Sequence, residues 1–208
     1  MEKKEIDDFV WVEYTERYYL NEMDETEADG NHYLIKDSYV GEDGKIIFKD
    51  KIHPNCALFC RDAERLKIKS AYECGCSCGY HLYNIQKLFP KVSVAGCDLL
   101  STQVYTAAHR LKIPSFITDN IKIMDFSIED AHKKVGKKYE YVFTNAVIMH
   151  LAHDKAVRFI RNMAEISSKY IRLSENCPNI EDMIEDSGLL DRYEREGDFL
   201  FRKIQDGL

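Results

Sequence analysis

The sequence predicts an α/β protein with a doubly wound, mostly parallel sheet, an antiparallel hairpin at its C-terminal end and an N-terminal cap. Three observations carry that prediction. Residues 70–110 read as a short apolar strand, a glycine-punctuated turn, a helix, a second apolar strand and a second helix, which is a βαβα unit. Strand and helix patterns go on alternating after it. Residues 190–195 (LDRYER) and 199–204 (FLFRKI), joined by Glu196-Gly197-Asp198, have the pattern of a terminal hairpin.

Composition bounds the rest. A chain of 208 residues suits one domain with a full core and a small extension. Hydrophobic residues make up 45% and charged residues 31%, the profile of a soluble globular protein. The formal charge of −7 disfavours general affinity for nucleic-acid phosphates or anionic membrane. No apolar run reaches membrane-spanning length, and MEKKEIDDFV has no apolar core of an export signal. Seven cysteines, an odd number, then suggest free thiols and a cytoplasmic, reducing location. Cys74, Cys76 and Cys78 lack a CxxC pair or a matching histidine pair, so no metal is expected. Cys97 and Cys177 are expected at strand ends in the core, and Cys56 and Cys60 on one helix face.

Residues 1–69 are the least regular. Phe9, Trp11, Tyr14, Tyr18, Tyr19 and Leu20 place large apolar groups at mixed spacing, and residues 22–31 form an acidic loop. Residues 32–40 and 46–49 flank Gly41-Glu42-Asp43-Gly44, whose Asp-Gly is a hairpin signal. His53-Pro54 turns into a helix expected over residues 56–66. The aromatic residues either cover the sheet edge or build a lid. The domain reading is a cap over residues 1–69 and a ligand-binding domain over residues 70–208.

In the central unit the first strand ends at Glu73 or Cys74. The turn Glu73-Cys74-Gly75-Cys76-Ser77-Cys78-Gly79 is small enough for a ligand to approach the backbone. The following helix offers free N–H groups at its start, and Leu82, Ile85, Leu88 and Phe89 give it one apolar face. Residues 92–97 form the next strand, with Asp98 at its carboxyl end, where ligands of doubly wound sheets bind. Ser101 is the expected cap of a helix over 102–111, with Val104, Ala107, Ala108 and Leu111 buried. Pro114 ends that connection, and residues 116–118 and 121–123 are expected to supply a third strand. Asp125 then stands either as a ligand-site residue followed by Phe126 or as the cap of a helix over 127–135 with Phe126 in the core. Tyr141, Val142 and Phe143 form a buried strand that turns at Asn145 toward Ile148 and His150. A helix over 154–167, a strand over 170–173 and a short helix over 179–186 complete the order.

These residues resemble the class I S-adenosylmethionine-dependent methyltransferases. The family's first motif, Glu/Asp-x-Gly-x-Gly-x-Gly, is matched by Glu73, Gly75 and Gly79, with Ser77 at the middle glycine. Its acidic residue after the second strand falls on Asp98. Val142, Val147, His150 and Leu151 follow the pattern of its fourth strand and next motif, from which Glu140 and Tyr141 depart. The resemblance covers residues 70–208 and implies a Rossmann-like, seven-stranded sheet. It also implies S-adenosylmethionine as cofactor, with S-adenosylhomocysteine as product. Cofactor contacts are implied at Glu73, Gly75, Cys76, Gly79, Asp98, Leu99, Asp125, Phe126 and Asn145.

The chemistry expected is methyl transfer to the oxygen of a small polar metabolite, such as a sugar or a capsule or secondary-metabolite precursor. His150 and His153 are the candidate general bases, since imidazole titrates near neutrality; His32, Tyr33 and His53 are further candidates from the cap. Residues 144–147 (TNAV) replace the tetrapeptide of nucleic-acid amino methylases, so a nucleic-acid acceptor is not expected. Two alternatives stay open: a non-catalytic binding protein on the same fold, and a nicotinamide-dependent oxidoreductase, against which the missing Gly-x-Gly-x-x-Gly spacing counts. Oligomeric state is not legible in the sequence.

Overall fold

The computed structural model describes Glu13 and residues 29–205. Phe9, Trp11, Tyr14, Tyr18, Tyr19, Leu20 and most of the acidic loop lie outside the described residues. The chain divides into two compact units at Met124–Asp125. The main sheet has seven strands in the order β5 (Ile121–Ile123), β4 (Ser93–Asp98), β3 (Ser70–Cys74), β6 (Tyr139–Asn145), β7 (Ser167–Ser174), β9 (Leu200–Lys203) and β8 (Tyr193–Gly197), and the N-terminal hairpin of β1 (Tyr39–Val40) and β2 (Ile46–Ile47) is separate.

In the first unit, β1 (Tyr39–Val40) pairs antiparallel with β2 (Ile46–Ile47). Gly44, at a φ of 79°, closes the turn that the Asp-Gly pair signals. Helix α1 (Pro54–Leu66) starts where Pro54 cannot donate an N–H and His53 Nδ1 accepts from Asn55 N at 3.2 Å. It buries Cys56, Phe59, Cys60 and Ala63. Strand β3 (Ser70–Cys74) lies parallel to β4 (Ser93–Asp98) with Cys74 opposite Cys97. Strand β5 (Ile121–Ile123) pairs parallel with β4. Helix α2 (Tyr80–Leu88) joins β3 to β4, and helix α3 (Ser101–Leu111) buries Val104, Ala107, Ala108 and Leu111 as their spacing predicts.

Two expectations fail here. Ser101 is the first residue of α3 and not its cap; Leu100 takes the cap position without a side-chain bond. Residues 116–118 belong to a one-turn helix, α4 (Ser115–Thr118), and only 121–123 are strand. Side chains decide this: Thr118 Oγ1 donates to Ser115 O, and Asn120 Nδ2 to Phe116 O, closing a helical turn on Pro114.

In the second unit, β6 (Tyr139–Asn145) lies parallel to β7 (Ser167–Ser174). Helix α5 (His153–Ile166) joins them and passes into β7 without a loop. It buries Ala156, Ile160, Met163 and Ala164. After helix α6 (Ile180–Asp186), β8 (Tyr193–Gly197) and β9 (Leu200–Lys203) form the terminal hairpin, with β9 antiparallel to both β7 and β8. Residues Leu189–Asp191 form a 3-10 turn, so β8 starts later than the pattern suggests.

No α-helix forms over 127–135; a 3-10 turn at Ala131–Lys134 stands in its place. Asp125 Oδ1 accepts from Ser127 N and Oγ at 2.8 and 2.6 Å. Asn162 Nδ2, on α5, donates to the carbonyls of Phe126 and Ile128. Side chains thus take the groups that a helix would pair internally. Cys177 lies half-buried in the β7–α6 loop and not at a strand end in the core.

Candidate functional site

The turn between β3 and α2 is shaped by its backbone. Gly75, Ser77 and Gly79 have φ of 75°, 49° and 81°. Gly75 N and Cys76 N both donate to Cys97 O, at 2.8 and 3.0 Å, which folds the turn over the end of β4. Two glycines permit this. A Cβ at Gly79 would stand 2.8 Å from Ile117 Cγ2, and one at Gly96 would stand 2.9 Å from Cys76 Sγ and from Glu73 O.

Asp98 joins this turn to the next loop. Its Oδ2 accepts from Ser77 N at 2.7 Å and its Oδ1 from Leu100 N at 3.1 Å. Burial pushes its carboxyl up, and the backbone N–H groups of Leu100, Ser77 and Leu99 oppose that. Leu99 beside it leaves its side chain exposed. Glu73 is buried, and its Oε1 stands 2.6 Å from His81 Nδ1. Burial raises the Glu73 carboxyl, His81 lowers it and Asp98 raises it again. Glu73 Oε2 has no partner among the described residues. Burial also pushes the thiols of Cys74 and Cys76 well up and that of Cys78 up to about 12, so all three are neutral at physiological pH. They fill the turn as small apolar groups.

The second unit holds the other residues. Asp125 is half-buried in its turn, and Phe126 packs edge-on against Phe159 with centroids 5.3 Å apart. Asn145 ends β6 and accepts from Ser174 Oγ at 3.2 Å. Beyond it, Glu175 accepts from Val147 N through Oε1 and from Met149 N through Oε2, at 3.1 and 3.3 Å. Burial pushes Glu175 up to about 7 against those two donors. This carboxylate fixes the loop that carries His150. His150 is half-buried, and desolvation lowers its pKa. His153 starts α5 exposed, with Nε2 2.7 Å from Asp186 Oδ2.

The hydrogen bonds therefore fold Gly75, Cys76 and Ser77 onto Cys97 and Asp98, tie Gly79 to Cys76 and Glu73 to His81, group Asp125 with Ser127, Asn145 with Ser174 and the His150 loop with Glu175, and take His153 to α6. Sequence reasoning missed His81, Glu175 and Asn162. Glu175 carried a signal, an acidic residue directly after a strand. His81 and Asn162 carried none, since their partners lie 8 and 36 residues away.

The family model described as a methyltransferase domain matches residues 72–168. That stretch is a little under half of the chain, and the seven-stranded, mostly parallel sheet that it helps to build has the Rossmann-like methyltransferase fold. An O-methyltransferase family protein from Burkholderia thailandensis is similar in structure, with a TM-score of 0.56 at 12% identity over 74% of this chain and 56% of that one. The methyltransferase domain of bacterial CtHen1-C has a TM-score of 0.55 at 13% identity, over 72% of this chain and 96% of that one. Magnesium protoporphyrin IX methyltransferase from Synechocystis PCC 6803, solved with bound S-adenosylmethionine, reaches 0.48 at 17% identity, over 72% and 73%. At these identities the likeness is one of fold. No curated protein matches the chain.

Proposed function

We propose that this chain transfers the methyl group of S-adenosylmethionine to an oxygen of a small polar molecule, with residues 73–79 and Asp98 holding the cofactor. The observation that carries this reading is the bond from Ser77 N to Asp98 Oδ2, which joins the small-residue turn and the strand-end carboxylate in one cradle. The chain's own groups fit the cofactor. Glu73 Oε2 is a buried acceptor that lacks a donor, and the cofactor's ammonium is one. The Asp98 carboxylate takes backbone N–H groups of Ser77, Leu100 and Leu99, and of its four lone pairs one is left for a ribose hydroxyl. Gly75, Cys76 and Gly79 let the backbone approach. Leu99, exposed beside Asp98, supplies apolar surface for adenine; roles for Asp125, Phe126 and Asn145 rest on the resemblance alone.

When bound, the cofactor supplies a methyl carbon made electrophilic by its sulfonium. The protein has to align an acceptor oxygen and take up a proton, and alignment alone lowers such barriers by several kcal/mol. His150 is the proposed base. Its lowered pKa keeps the ring neutral at pH 7, the form that accepts a proton. His153 already engages Asp186 and is the less suited of the two. Residues 1–69 are proposed as a cap. In support, Asn84 of α2 holds that segment by donating to Tyr33 O and accepting from Ile35 N.

Isothermal titration with S-adenosylmethionine, S-adenosylhomocysteine and NAD tests the reading. Both adenosyl ligands should bind and NAD should not. Asp98→Ala should weaken binding by about 1–3 kcal/mol, and unchanged affinity would remove its role. In an acceptor screen read by S-adenosylhomocysteine release, His150→Ala should lower turnover about 100-fold. Cofactor binding with no release for any acceptor would point to a non-catalytic binding protein.

A further inference from the structure

One side-chain bond spans the cofactor turn from end to end. Glu73 is the last residue but one of β3, and His81 is the second residue of α2. Their 2.6 Å contact ties the place where the chain leaves the sheet to the place where it enters the helix. Both side chains are 2% exposed. The imidazole is fixed by the ring of Phe59 on α1, edge-on at 4.7 Å, and by Tyr80 at 4.2 Å.

Gly75, Cys76 and Ser77 bond to Cys97 and Asp98 on β4, and Gly79 N donates to Cys76 O inside the turn, so none of these bonds ties β3 to α2. Removing the imidazole would leave a buried carboxylate beside Asp98, with neither oxygen bonded to a side-chain partner. A buried carboxylate without a partner is driven to take up a proton or to move toward water. Either change displaces the turn, whose N–H groups work only when pre-set.

We propose that His81 is the positioning residue of the cofactor turn, buckling β3 to α2 through Glu73 so that the backbone between them is pre-set for S-adenosylmethionine. This rests on the reading of residues 73–79 and Asp98 as the cofactor cradle. His81 itself need not touch the cofactor.

Titration of the full chain with S-adenosylmethionine and with S-adenosylhomocysteine, in His81→Leu and His81→Asn, tests it. Leucine keeps much of the volume without a polar group, while the asparagine amide can place a nitrogen near the position of Nδ1. His81→Leu should weaken both ligands about tenfold, equivalent to about 1.4 kcal/mol. His81→Asn should recover to within about threefold of the native affinity, a rescue that loss of packing alone would not give. Native affinity in His81→Leu overturns the proposal, as does His81→Asn binding no better than His81→Leu when both keep the native circular dichroism. Should His81→Leu fail to fold, a cycle of Glu73→Gln, His81→Ala and the double variant decides: coupling of about threefold or more in cofactor affinity is expected, and additive effects overturn the proposal. The Asp98→Ala arm separates the two ideas. No effect there removes the cradle reading, whereas a weakened Asp98→Ala beside a native-like His81→Leu removes this inference alone.

Discussion

At the scale of single residues, this protein keeps several carboxyl groups out of water and gives each a different remedy. Asp98 accepts backbone N–H groups at both oxygens, Glu73 pairs with an imidazole, and Glu175 clasps the amides of Val147 and Met149. Glu175 has a measurable consequence. Its carboxyl is raised from 4.5 to about 7 in the folded protein, so the unfolded chain gives up this proton first as the pH rises. The contribution to stability is whole below about pH 4.5, falls between there and about 7, and is gone above. Urea unfolding at pH 5 and pH 8 should show a loss of up to about 3 kcal/mol on this account. Glu175→Gln should flatten that slope, and an unchanged slope would assign it to other groups.

At the scale of elements, the proposed cofactor cradle depends on how closely a turn, a strand and a short helix approach one another. Gly79 packs on Ile117 of α4, and Gly96 on Cys76 and Glu73. Gly79→Ala adds a left-handed φ to a 2.8 Å contact and should destabilise by about 2–3 kcal/mol. Gly96→Ala has an allowed backbone but drives β4 off the turn, and should lower stability by about 1–3 kcal/mol and cofactor affinity with it. Thermal melting alongside titration reads both; a native-like Gly96→Ala would show that the strand can shift freely. The same scale explains α4. Residues 116–118 are apolar enough for a strand, yet Pro114, Thr118 and Asn120 close the turn locally, and Ile117 then serves as the wall behind Gly79.

At the scale of the whole molecule, seven strands, the last two of them an antiparallel hairpin, give the architecture that the alternating patterns predict. Among the described residues, no helix is long and apolar enough to cross a membrane. The net charge of −7 bears on partners. Nonspecific binding to nucleic acid draws its free energy from neutralised phosphates, and an acidic surface works against that. A mobility-shift titration with duplex and single-stranded RNA at about 0.15 M salt should give no complex at micromolar protein. A shift that salt abolishes would reveal a local basic patch and widen the acceptor class.

Local chemistry alone determined the order of strands and helices, the glycine turn after β3, Asp98 at the end of β4 and the terminal hairpin. Each rests on periodicity or on backbone demands set by neighbours within a few residues. Tertiary structure decided what side chains do to distant backbone. Asn162 on α5 holds the carbonyls of Phe126 and Ile128, so that 127–135 does not become a helix. His81 reaches back over the turn to Glu73, and Glu175 gathers the amides before His150. Such bonds leave no periodic trace, because each depends on where another element brings a single polar atom. That is why the glycine turn and Asp98 were legible, while the groups that hold the turn in shape were not.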